Sequence, residues 1–103
     1  MATKNVPHPI TVTATQALDY VDVNYAVIVA FATQESFSET WNVVHKKCDL
    51  LDIKVVRVEP TEDNAVDLQV SRHPTYILYQ YGSESWMVLG NEEFSEKIDA
   101  MRS

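Results

Sequence analysis

The chain has 103 residues, a hydrophobic content of 46%, two glycines, four prolines, and a formal charge of −7. That length and mix describe one folded domain with its own core, and exclude a low-complexity, collagenous or disulfide-stapled chain. The acidic balance disfavours nucleic acid and anionic membrane surfaces as partners, because both would repel it.

The opening residues, 1–9, carry no apolar stretch of the kind a secretory leader needs, and are expected to form a flexible tail before a domain spanning 10–103. Pro9 to Thr13 fits a short strand, and Thr13 with Gln16 has the spacing of a capping box for a helix over Ala14 to Val21. Ala26 to Ala32 is apolar at every position, the pattern of a strand buried on both faces. It is also the longest apolar run, far short of the roughly 20 residues of a membrane span.

Phe37, Trp41, Val44, Cys48 and Leu51 recur at alternating steps of four and three, which puts them on one face of a helix over Ser36 to Leu51. Ser36 and Glu39 have capping-box spacing, so Ser36 is the expected cap. Ile53 to Glu59 is β-branched and closed by Pro60, hence a strand; Asp63 to Val70 suits a short helix. Thr75 to Tyr81 and Ser85 to Leu89 form a hairpin signal. Asn91 is the expected cap of a last helix that buries Phe94, Ile98 and Met101.

The element order βαβαβαββα implies an α/β domain with one mixed central sheet of four or five strands and helices on both faces. Cys48 is the only cysteine, so no intramolecular disulfide can form. A reducing compartment, most simply the cytosol, is the expected location. Its place on the apolar stripe makes Cys48 a core residue.

That order, the strand Val27-Ile28-Val29-Ala30-Phe31, and His73-Pro74-Thr75 running into Tyr76-Ile77-Leu78-Tyr79 with Gly82 and Gly90 beyond, resemble the thioredoxin-like family. The resemblance covers about Ile10 to Met101 and implies a cis peptide bond before Pro74. It also shows what is missing. Where the family carries Trp-Cys-Gly-Pro-Cys, this chain has Thr33-Gln34-Glu35-Ser36-Phe37. The family's buried acid falls at Ala30 and the aromatic beside it at Ala32. Thiol–disulfide exchange starts from a thiolate, and none is available at this helix start.

The resemblance therefore implies a redox-inactive, protein-binding or adaptor module. Its candidate binding groove is Thr33, Gln34, Glu35, Ser36, His73, Pro74 and Thr75, with no catalytic residue, cofactor or metal. A second reading is glutathione or small-thiol binding, with a hydroxyl of Ser36 or Thr33 near the thiol. A third is a structural component acting through homo-oligomerisation. His8, His45 and His73 stand too far apart in sequence to suggest a metal set, and His45-Lys46-Lys47 reads as a solvated helix face. Alternation sends Tyr76 and Leu78 to one sheet face, and Ile77, Tyr79 and Tyr81 to the other.

Overall fold

A computed structural model describes residues 9–101; the expected tail, apart from Pro9, and residues 102 and 103 lie outside the described residues. The order along the chain is β1 (Thr11–Val12), α1 (Ala14–Val23), β2 (Ala26–Phe31), α2 (Gln34–Leu50), β3 (Lys54–Val58), α3 (Glu62–Leu68), β4 (Thr75–Gln80), β5 (Ser83–Leu89) and α4 (Asn91–Ala100). The five strands make one sheet in the order β1-β3-β2-β4-β5, with β1, β3 and β2 parallel and β4 and β5 antiparallel. This is the α/β architecture expected from the sequence, with five strands.

Two cores sandwich the sheet. On one face Phe37, Trp41, Val44 and Cys48 of α2 and Phe94 and Ile98 of α4 pack on Ile28, Ala30, Val55, Tyr76 and Leu78. On the other, Ala14, Ala17 and Val21 of α1 and Leu68 of α3 pack on Val27, Val29, Phe31, Val56, Val58 and Ile77. Every residue of β2 is buried, because β2 is central and covered on both faces. Tyr76 stacks on Phe94 with ring centroids 3.9 Å apart, and Phe37 on Trp41 at 5.5 Å.

The Thr13–Gln16 capping box forms as expected. Other details differ. The first strand is only Thr11–Val12, and the third helix spans Glu62–Leu68. Tyr81 leaves the strand for a two-residue turn: Tyr81 at φ 53° and Gly82 at φ 81° give the hairpin the left-handed pair whose twist matches its strands. Tyr81 is consequently exposed rather than aligned with Ile77 and Tyr79.

Candidate functional site

The parallel strands β2 and β3 and the incoming β4 meet at one end of the sheet. Phe31, the last residue of β2, pairs with Thr75, the first of β4, so the β2–α2 corner and the His73–Thr75 segment are neighbours. The His73 ring stands edge-on to Phe31 with centroids 6.3 Å apart, and the His73–Pro74 peptide bond is cis. The Pro74 carbonyl accepts from the Gly90 N–H at 2.9 Å, and the Thr75 hydroxyl donates to the Arg72 carbonyl at 2.6 Å. Thr33, Gln34, Glu35 and Ser36 therefore share one end of the molecule with His73, Pro74 and Thr75. Gln34, Glu35 and His73 are exposed, whereas Thr75 is buried.

Ser36 is not the cap of α2. Thr33 takes that place: its backbone is extended, and its Oγ1 accepts from the Ser36 N–H at 3.2 Å. The helix thus begins at Gln34, three residues before the apolar stripe, and its N-terminal partial positive charge lies at Gln34 and Glu35. The Glu35 carboxylate in that first turn complements it.

Asn91 is not a cap either. Gly90 holds the cap position of α4 without a side-chain bond, and Asn91 is the first helical residue. Its side chain instead ties three elements together. Nδ2 donates to the Ser36 carbonyl at 2.9 Å and to Ser36 Oγ at 3.2 Å, while Oδ1 accepts from the Tyr76 hydroxyl at 2.5 Å. Burial pushes the Tyr76 phenol well above its ordinary range, so the hydroxyl stays a donor. The oxygens of both Thr33 and Ser36 thus accept a hydrogen bond from the protein itself.

Arg57 is the residue the sequence reading passed over. It lies on β3 beside Ala30 of β2, and only 5% of it is exposed. Nη1 donates to the Ala32 carbonyl at 2.8 Å and pairs with Glu59 at 2.9 Å, and Nη2 donates to Thr11 Oγ1 at 3.0 Å. Nε is buried with no partner. The guanidinium holds the backbone just before Thr33 and so fixes the corner from which α2 starts. Its signal was a lone cation inside Val55-Val56-Arg57-Val58.

Gln34 and Phe37 stand where the resemblance places the two cysteines, and the Phe37 side chain is fully buried against Trp41. Cys48 lies in the last turn of α2 and is 1% exposed, and burial pushes its thiol from 9.0 up to about 12, the reverse of an activated cysteine. Among the described residues no cluster of three or more metal-ligating side chains occurs. No described helix is long and apolar enough to cross a membrane.

No family model matches this sequence, and no curated protein does. Solved structures do. The chain is similar to the oxidised thioredoxin of Plasmodium falciparum, with TM-score 0.72 at 15% identity, covering 89% of this chain and 96% of that one. Thioredoxin f2 of Chlamydomonas reinhardtii gives 0.71 at 17%, covering 89% and 94%. Oxidised mitochondrial thioredoxin 3 of Saccharomyces cerevisiae gives 0.71 at 16%, covering 90% and 95%. Such likeness at such low identity speaks for the backbone arrangement alone: the chain has the thioredoxin-like fold, with a single cysteine that lies outside the helix start.

Proposed function

We propose that this chain is a redox-inactive binding module that holds an extended segment of a protein partner at the end of the sheet where Thr33 to Ser36 meet His73 to Thr75. The observation that carries the reading is the replacement of both thiol positions by Gln34 and by a core-buried Phe37, while the surrounding frame is still built. Thr33, Arg57 and Asn91 hold the β2–α2 corner and the start of α4 with side-chain hydrogen bonds. A rigid corner of this kind costs a partner little ordering on binding. The module would act in a reducing compartment such as the cytosol, where its unpaired cysteine persists as a thiol.

Capture from the native source tests it, comparing wild type with the double variant Gln34→Arg plus His73→Asp. Both side chains are exposed, so the variant is expected to fold. Proteins retained by wild type and lost with the variant support the reading. Equal capture by both moves the partner to another face and overturns it. Insulin reduction with a dithiol donor is expected to show no turnover above the donor alone, and turnover that Cys48→Ala abolishes would also overturn it.

A further inference from the structure

β5 is the outer strand on one side of the sheet; β1, on the other side, is only two residues long. Successive residues of an antiparallel ladder turn their backbone groups alternately toward the neighbouring strand and away from it. The Gly90 N–H bond to the Pro74 carbonyl sets that phase for β4 and β5, and the Tyr81 N–H bond to the Tyr25 carbonyl sets a consistent one for β2 and β4. Trp86 and Val88 therefore point their backbone groups at β4, and Met87 and Leu89 point theirs outward. Leu89 shows this directly, since its N–H goes not to β4 but to Glu93 Oε2 at 3.1 Å. The register break between Leu78 and Tyr79 leaves Ser85 as the additional residue, so the regular outer edge stops before it.

The regular edge thus comprises Met87 and Leu89, arranged symmetrically about Val88. Their side chains lie on the face opposite α4, and are 38% and 42% exposed. From Ser85 to Gly90 there is no charged residue, in a chain of net charge −7. No Lys or Pro lies in this stretch; its protections are the bulge at Ser85, which ends the edge, and the Glu93 carboxylate on the Leu89 N–H.

We propose that this edge pairs with the same edge of a second copy, antiparallel, about a two-fold axis through Val88. That register sets Val88 opposite Val88 and Met87 opposite Leu89, apolar on apolar, with no like charges opposed. Each Met87 N–H donates to the Leu89 carbonyl of the other copy. When the Glu93 carboxylate swings away, each Leu89 N–H donates to the other Met87 carbonyl. Glu93 is therefore a guard on the edge. The second copy is the occupant because the apolar and outward-facing positions close on themselves about Val88, whereas the edge offers a foreign strand no charge to recognise. The axis stands perpendicular to the sheet, so both α4 helices lie on the same face. Each brings Glu92, Glu93, Glu96 and Asp99 against one Lys97, so added salt strengthens the pair.

Sedimentation equilibrium of the full chain, up to about 500 μM in about 0.5 M sodium chloride, tests this with its variants, a range suited to a small interface. Wild type is expected to associate to dimers, more tightly at the higher salt. Met87→Pro removes two hydrogen bonds at the seam and is expected to raise the dissociation constant roughly thirtyfold. Proline is tolerated on an outer strand whose N–H faces solvent. Glu93→Ala is expected to lower the constant. Under mild oxidation Val88→Cys should cross-link between chains, because directly opposed non-hydrogen-bonded residues sit about 4.5 Å apart at Cα, within disulfide reach. Met87→Cys, opposite Leu89, should not. A chain that stays monomeric throughout, a dimer indifferent to Met87→Pro, or equal cross-linking by both cysteine variants overturns the proposal. Should Met87→Pro unfold, the two cysteine variants decide it.

Discussion

β2 and β5 carry similar apolar runs, Ala-Val-Ile-Val-Ala-Phe and Trp-Met-Val-Leu, and have opposite surroundings. β2 has a hydrogen-bonded strand on each side and a helical layer over each face, and all six of its residues are buried. β5 has one strand beside it and α4 over one face only, and five of its seven residues are exposed. A continuous apolar run therefore has two meanings in a sheet. It marks a strand enclosed on all sides, or an outer strand whose second face and edge are open to a partner. Only the strand order separates the two.

The largest test of that contrast is truncation at matched positions. Ile28→Ala empties a fully buried site under α2 and α4 and is expected to lower the unfolding free energy by about 2–5 kcal/mol, read by denaturant titration. Met87→Ala, at low protein concentration, is expected to cost less than about 1 kcal/mol, since surface positions carry little. Comparable losses at the two sites would remove the distinction between them.

Asn91→Ala sharpens the comparison at the junction of the layers. It leaves the Tyr76 hydroxyl and the Ser36 carbonyl without their partner, and is expected to cost about 1–3 kcal/mol. Asn91→Asp, which keeps the acceptor for Tyr76 but loses the donor to Ser36, should fall between wild type and Asn91→Ala. A neutral Asn91→Ala would mean that water replaces the bridge and that the corner is less fixed than its geometry implies.

Cys48 reports on the same enclosed layer through pH. Its thiol ionises near 9.0 when unfolded and near 12 when folded, because burial disfavours the thiolate. The folded state therefore holds its proton more tightly than the unfolded state across that window. The associated stability is complete below about pH 9 and is lost as pH rises toward 12. Cys48→Ala is expected to flatten part of that slope, leaving the part contributed by Tyr76 and Tyr79, whose phenols burial also raises. A native thiol that reacts readily with a disulfide reagent at neutral pH would contradict its enclosure.

The smallest effect concerns single amides. The Met87 N–H is expected to exchange with solvent far faster than that of Val29 in dilute protein, and to slow as concentration rises if the β5 edge pairs with itself.

Much of the architecture was legible from local pattern. The apolar run of β2, the α2 stripe through Phe37, Trp41, Val44 and Cys48, the Thr13–Gln16 capping box and the hairpin around Gly82 each depend on residues close in sequence, and each formed. Errors gathered where two local signals competed. Ser36 and Thr33 both suit a cap, and Thr33 won because the helix gains its first turn by starting at Gln34. Asn91 also suits a cap. Its side chain is worth more bridging Ser36 and Tyr76, which lie 55 and 15 residues away in sequence.

The sequence by itself determined the order of elements, the faces they bury and the absence of thiols where exchange chemistry would begin, because periodicity and residue type are local properties of the chain. Tertiary structure alone decided the partners of Arg57 and Asn91, the depth at which Cys48 is enclosed, and the openness of the edge at Met87 and Leu89. Each of these follows from which strands and helices become neighbours in space, and long-range burial and hydrogen bonding, rather than local preference, choose those neighbours.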